Sequence, residues 1–226
     1  MTKLFACALA ALLAVACGGE NVDAAKVLRD GGAAMGQLKT VTATLKLTKG
    51  EITIEGFRLV SAKTAVRLPK DSDTTYTVKE QDVSFSIQVV IAAGHTYLHV
   101  PFSRFQELTG AEAKALPDMA SLFDSTTGLP AVIPQGGSPQ YVSTDKVGDR
   151  DCYQVATSYT ADQVKGLLSE FNSTGTVSAH VWVDKSDHLV RKATLSGPFG
   201  DMGGAATVEV DISSFNGPVV IASPTP

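Results

Sequence analysis

The chain has 226 residues, 44% of them hydrophobic and 19% charged, with a formal net charge of −4 and a pI near 5.5. This composition suits one globular domain with a substantial core and argues against nucleic acid as a partner. Beyond a segment at the start, no apolar run has the length of a membrane span.

In that first segment Lys3 supplies a short positive region, and Leu4 to Val15 run without a polar residue. The run is too short for a mature transmembrane helix and has the length of a signal-peptide core. Ala14-Val15-Ala16-Cys17 resembles a bacterial lipobox, in which small residues precede a Cys that is acylated before cleavage. The favoured Leu three places before the Cys is Ala14 here, with Leu13 one place earlier. The alternative is an ordinary signal peptide cut near Ala16. The lipobox reading predicts a leader over residues 1–16, lipid on Cys17 and a tether over 17–24, small and polar through Gly18-Gly19-Glu20-Asn21. Several acyl chains anchor firmly where one does not. Cys7 then leaves with the leader and Cys17 is consumed. Cys152 remains alone, with no disulfide partner, and reads as a small buried hydrophobe.

The body of the domain is predicted over residues 25–218, with a tail over 219–226. Asn21 to Leu38 reads as a helix with Val27, Leu28, Gly31, Met35 and Leu38 near one face, weakened by Gly31-Gly32 and Gly36. Val41, Ala43, Leu45 and Leu47 then alternate with polar residues, Lys49-Gly50 turns the chain, and Ile52 and Ile54 resume the period of two. Phe57 to Leu68 reads as two strands broken around Ser61-Ala62-Lys63, followed by a turn over Pro69 to Asp73 and a short strand over Thr74 to Lys79. Val83 to Ile91 is the cleanest strand, and Thr96 to Val100 returns from the turn at Ala93-Gly94 until Pro101.

Ser103 to Phe123 carries helix signals. Thr109 and Glu112 have capping-box spacing, and Pro117 suits the first turn of a second helix, with Leu116, Met119, Ala120 and Phe123 as its apolar stripe. Asp124 to Ile133 reads as a short helix or an irregular apolar segment, and Gln135 to Pro139 as a loop. Tyr141 to Val147 and Cys152 to Thr157 form a hairpin around Gly148-Asp149. Thr160 and Gln163 cap a helix with Val164, Leu167, Leu168 and Phe171 on one face. Val177, Ala179, Val181 and Val183 alternate, Leu189 to Leu195 pairs back, Gly197 to Gly204 is a loop, and Val208, Val210 and Ile212 make a final strand. The tail from Pro218 is expected to fray.

About ten strands in hairpin order, with helices inserted at three places, predict an antiparallel α+β domain. A sheet that wide twists and curls. Helices laid across its concave face either leave an apolar space or close a filled core, and the pattern is compatible with both. Enzyme signatures are missing. His95, His99, His180 and His188 have no carboxylate-rich company, and no G-x-S-x-G, H-E-x-x-H or phosphate-loop pattern occurs. Gly197, Gly200, Gly203 and Gly204 imitate a nucleotide loop only loosely, because a strand follows them and not a helix. Asp71 and Asp73 read as turn residues.

Several stretches resemble the LppX/LprA/LprF/LprG lipoproteins of actinobacteria. Ala179-His180-Val181-Trp182-Val183-Asp184 with His188-Leu189-Val190-Arg191 is similar to that family's Trp-bearing strand, polar turn and returning strand. Val147-Gly148-Asp149, the strand through Val155, Ala161 to Leu168, Tyr97-Leu98, Thr127-Gly128-Leu129 and Phe215 to Val219 resemble further family features, in the family's order. These are scaffold signatures, not catalytic motifs. The resemblance implies a curled antiparallel half-barrel like LolA/LolB, with helices covering its concave face around an apolar cavity. It implies a non-enzymatic monomer without cofactor or metal, which binds acylated lipids or glycolipids and carries them from the inner membrane toward the outer envelope. A membrane-anchored position facing the envelope and an export transporter as partner belong to the same expectation. A scaffold lipoprotein with a filled core is the alternative. The lining expected from the apolar faces is Phe57, Leu59, Val66, Phe85, Ile87, Val89, Ile91, Leu98, Met119, Phe123, Leu167 and Phe171. Such a site needs adaptable apolar walls and no catalytic groups.

Overall fold

A computed structural model describes residues 21–54, 56–165, 167, 173–199 and 204–225. Cys17 and Phe171 lie outside the described residues. The first element is α1 (Ala24–Met35), whose N-cap Asp23 accepts the Lys26 N–H at 2.9 Å. Its buried face carries Val27, Leu28, Gly31 and Met35, as the helical period requires. The glycines that weaken it have a packing role. A Cβ on Gly32 would sit 2.6 Å from the carbonyl oxygen of Pro130, so the bare backbone lets the capping segment lie directly on the helix.

Twelve strands follow among the described residues: β1 (Thr40–Lys49), β2 (Thr53–Ile54), β3 (Phe57–Arg67), β4 (Asp71–Glu80), β5 (Val83–Ala92), β6 (His95–His99), β7 (Gln106–Leu108), β8 (Gly137–Val147), β9 (Arg150–Tyr159), β10 (Val177–Asp184), β11 (Val190–Phe199) and β12 (Gly204–Ser213). They form one curled antiparallel sheet in the order β7-β6-β5-β4-β3-β1-β12-β11-β10-β9-β8, with β2 paired to β3 alone. Two meanders are therefore joined at the β1–β12 pair, where Ala43 faces Ile212 and Leu45 faces Val210. The pairings give the sheet two ends. Lys49, Phe57, Glu80, Val83, Tyr159 and Val177 lie toward the upper end, and Thr40, Arg67, Asp71, Ala92, Arg150 and Asp184 toward the lower. The helix α1 descends between them. Leu28 lies against Gly136 near the top of β8, and Gly31 lies against Val183 and Val190 near the bottom of β10 and β11. Lys39 then donates to Asn216 Oδ1 at the lower end.

The alternation read from the sequence maps directly onto burial in β10, where Val177, Ala179, Val181 and Val183 are buried and Ser178, His180 and Trp182 face out. Phe57 to Leu68 differs from expectation. It is one strand with a bulge at Val60, because Leu59 pairs Val78 while Ser61 pairs Thr77. The middle segment also differs. Its helix signals resolve into the strand β7, a six-residue helix α2 (Gly110–Ala115) and a 3₁₀ turn over Ser121–Phe123. Thr109 occupies the N-cap position of α2 without a capping bond, and Pro117 starts no helix. The Asp118 carboxylate instead accepts the N–H groups of Ala120 and Ser121 at 3.0 and 3.4 Å, the local competition that short acidic side chains offer to helix. A short α3 (Leu129–Val132) completes the cap, and β8 begins at Gly137, inside the expected loop.

The second capping box does form. Gln163 Oε1 accepts the Thr160 N–H at 2.7 Å and Thr160 Oγ1 accepts the Gln163 N–H at 3.3 Å, opening α4 (Ala161–Lys165). The expected loop at Gly197 is strand as far as Phe199. The tail does not fray at Ile221. That side chain joins Val90, Ala92 and Tyr97 in a small cluster on the outer face, and its carbonyl accepts from Arg67 at 3.1 Å.

Candidate functional site: an apolar space between sheet and cap

The inner face of the sheet and the cap, made of residues 110–135 and α4, enclose two adjoining apolar spaces. The first is a cavity of about 90 Å³. Its sheet wall comes from five neighbouring strands: Ala43 and Leu45 of β1, Ala62 and Thr64 of β3, Val208 and Val210 of β12, Leu195 and Phe199 of β11, and Val177 of β10. Met119, Leu122, Phe123, Leu129, Val164 and Leu167 close it from the cap. Thr64 is the one polar residue in this lining, and its hydroxyl is bonded to Thr74 Oγ1 at 2.8 Å across the β3–β4 pair. The wall therefore presents no unmet hydrogen-bonding group to an apolar occupant, which is the condition for a cavity that stays dry.

The second space is a cleft of about 460 Å³. Phe57, Tyr76, Val78, Ile87, Val89, Leu98 and Val100 form its floor, and Glu112, Ala115, Leu116 and Pro117 its roof. The two spaces meet at a cross-strand pair, since Ala62 lines the cavity and its partner Tyr76 lines the cleft. The roof is continuous too, with Pro117 over one space and Met119 over the other. Past the lower rim of the cleft the lining turns polar. There Lys70, Lys114, Asp118, Asp124 and Thr127 border an open groove of about 670 Å³. The Asp124 carboxylate accepts from the hydroxyls and N–H groups of Thr126 and Thr127, and these bonds, the Thr126 hydroxyl first, hold it well below the usual carboxylate range. The bonds fix the turn that leads into α3.

The structure sorts the expected lining. Met119, Phe123 and Leu167 border the cavity, and Phe57, Ile87, Val89 and Leu98 border the cleft. Ile91, two residues beyond Val89 on the same face of β5, borders the polar groove. Leu59 and Val66 face inward but are packed in the core, and neither lines the cavity or the cleft. Phe85 stands behind Phe57, ring edge to face with centroids 5.1 Å apart, so it supports the lining and does not form it. All the sheet residues of the cavity wall are additions, those of β1 and β3 as well as those of β10, β11 and β12, and so are Leu122, Leu129 and Val164 of the cap. The alternation of the strands was visible, but nothing local said that β12 would lie beside β1.

No cluster of His, Cys, Asp and Glu able to hold a metal occurs among the described residues. The histidines are dispersed. His95 pairs with Glu107 at 2.7 Å, His99 stacks on Phe105, His180 bonds Gln154 at 2.8 Å, and His188 sits in the β10–β11 turn. Among the described residues no helix is long and apolar enough to cross a membrane.

An open curled sheet and a cap of short helices with an apolar lining between them define a sheet-and-cap domain. The sequence profile of the LppX_LprAFG lipoproteins matches residues 23–221, and the chain belongs to that family. It is similar to the lipoarabinomannan carrier protein LprG of Mycobacterium leprae, at 20% identity over 149 residues, 66% of this chain and 60% of that protein. The chain thus spans somewhat under two thirds of that relative's length. Among solved structures it resembles LprF from Mycobacterium bovis, with a TM-score of 0.71 and 15% identity over 90% of this chain and 97% of that one. It also resembles the lipoprotein LppX of Mycobacterium tuberculosis, with a TM-score of 0.61 and 17% identity over 88% and 97% of the two chains. At these identities the likeness establishes the fold.

Proposed function

We propose that this protein is a non-enzymatic, lipid-anchored envelope carrier. It takes the acyl chains of a lipid or glycolipid into the space between sheet and cap, and moves that lipid between the inner membrane and the outer envelope. Cys17 bears the anchor, residues 17–24 form the tether, and the domain over 25–218 does the binding as a monomer, with an export transporter as a partner that hands over cargo. The observation that carries the reading is the lining: aliphatic and aromatic side chains from five strands and the cap, with their one hydroxyl already bonded inside the wall. Each methylene moved from water into such a site contributes about 0.8 kcal/mol. Leucine, valine and methionine walls accept chains of varied shape, which a polar site would not. The carrier named among its relatives supports the same reading.

One observation favours a second reading. A cavity of about 90 Å³ does not hold an acyl chain as it stands, so the domain can also be viewed as a filled scaffold. The neighbouring cleft of about 460 Å³ falls in the usual range of ligand sites. One experiment separates the two. Protein purified from a mycobacterial host is extracted with organic solvent, and the extract is analysed by mass spectrometry. A carrier yields acylated lipid in stoichiometric amount, whereas protein that is folded and lipid-free supports the scaffold.

A further inference from the structure

The turn that links β6 to β7 is built in an unusual way. Val100-Pro101-Phe102-Ser103 closes with the Ser103 N–H on the Val100 carbonyl at 3.2 Å, and Phe102 has φ +64°. Proline second and a positive φ third is the pattern of a type II turn, whose third position is normally glycine or asparagine. A bulky aromatic there carries backbone strain. Its side chain recovers nothing by burial, because Phe102 is fully exposed. The turn is nevertheless held firmly. The Ser103 hydroxyl bonds both the N–H and the carbonyl of Val100, at 3.3 and 2.8 Å, and Phe105 stacks on His99 with centroids 5.0 Å apart. Arg104, also exposed, makes no ion pair among the described residues.

We infer that this turn is a membrane-docking finger: Phe102 enters the acyl boundary of the bilayer and Arg104 meets lipid phosphate. Three placements commit it to that partner. The finger leaves β6 at His99, opposite Gln88, and points toward the upper end of the sheet, where the tip of the β4–β5 hairpin beyond it carries Val83, 67% exposed. Val100, at the base of the finger, is half-exposed and lines the cleft, so the docking surface is continuous with a wall of the apolar space. The chain also enters the domain from that end, because α1 starts there and descends. This last placement rests on the reading of Cys17 as the lipid anchor. Three residues separate it from Asn21, four steps along the chain and a reach of at most ~14 Å, so the anchor would keep the upper end against the bilayer.

The test uses the full-length protein in vesicles of nine parts phosphatidylcholine, half of it dibrominated in the acyl chains, and one part phosphatidylglycerol. Trp182, on the outer face of β10, is first changed to Phe, and Phe102→Trp supplies a new indole. Bromolipid is expected to quench that indole by about half or more, as insertion to acyl depth requires. Val220→Trp in the same background is the control, since Val220 is 89% exposed in the tail that packs at the lower end, and it should stay unquenched. Acylation of Cys17 is read by mass spectrometry on the same sample. An indole at position 102 that stays unquenched, acylated or not, overturns the finger. Quenching in a protein whose Cys17 is bare supports the finger and overturns only the anchor.

Discussion

Val89→Trp tests the apolar space most directly. Val89 is buried on the inner face of β5 and lines the cleft between Ile87 and Leu98. An indole in place of its isopropyl group occupies roughly 90 Å³ more, about the room of three methylenes at interior packing density. The cleft holds about 460 Å³, so it has space for the ring without displacing the strand. Cargo loses the burial of about three methylenes, or roughly 2.4 kcal/mol, which weakens binding about 50-fold. The fold should lose no more than about 1–2 kcal/mol from imperfect packing, a fall of a few degrees in Tm. Val66→Trp provides the contrast. Val66 is fully buried and away from both spaces, so the same ring there overpacks the core and lowers Tm without a specific effect on cargo. Lipid per protein is measured by solvent extraction and mass spectrometry, alongside thermal denaturation. A Val89→Trp protein with near wild-type Tm and undiminished lipid would refute the assignment of the cleft to acyl chains.

Three further predictions concern the lower end of the sheet. The Asp184 side chain is 2% exposed, accepts from the Ser186 N–H and hydroxyl at 2.8 and 2.7 Å, and lies 3.0 Å from Arg191. Asp184→Ala leaves Arg191 with Asp187 as its one carboxylate partner and should cost about 3 kcal/mol, seen as a Tm lower by roughly 6–12 °C; a change under 2 °C would remove Asp184 from the framework. Burial raises its pKa, but the Ser186 bonds and Arg191 outweigh that, so the carboxyl titrates below its ordinary value of 3.8. Its contribution is thus present in full above that value and lost as pH falls through the lower folded one, and Asp184→Asn should flatten the acid limb of the stability profile. Cys152 is buried and its thiol is pushed up to about 11, by burial first and then by the Asp184 charge. At pH 8 it should resist iodoacetamide in the folded protein and react after urea unfolding, read on its own peptide by mass spectrometry; fast native labelling would show that the start of β9 opens.

The faces of the strands were legible because one side of an antiparallel sheet is dry and the other wet. Val177 to Val183 carry that rule in their sequence and α1 carries the helical one, whereas in β5 Val83 is exposed and Val90 is buried on the outer face beside Ile221. Pairing order was not legible. A period of two says which way Val208 and Val210 point, not that β12 lies beside β1. Val177, Leu195, Phe199, Val208 and Val210 of the cavity wall were missed for that reason. Depth was hidden too, since Leu59 and Val66 have the right face but sit where the core is filled. In the cap, Asp118 and Asp124 use their side chains on nearby backbone, which ends helices that the apolar spacing alone would continue. The bulge at Val60 left no mark, because one extra residue keeps the local composition of a strand.

These cap bonds bear on how a small cavity could admit a long chain. The turn at Asp118, the turn at Asp124 and the Thr160–Gln163 box are each closed within a few residues of sequence. Toward the cavity and the cleft, these pieces present apolar side chains with Glu112 as the one charged exception. On the carrier reading, loading therefore separates Met119, Leu122, Phe123 and Leu129 from Leu45, Leu195 and Val210, while the strand ladders remain intact. The incoming acyl chain replaces the apolar contact that the cap gives up, so the exchange is close to balanced per unit area. Such a balance lets a carrier release as well as bind. An acyl chain bound with its full burial energy would not leave, whereas one that competes with the cap for the same wall can be expelled when the cap closes.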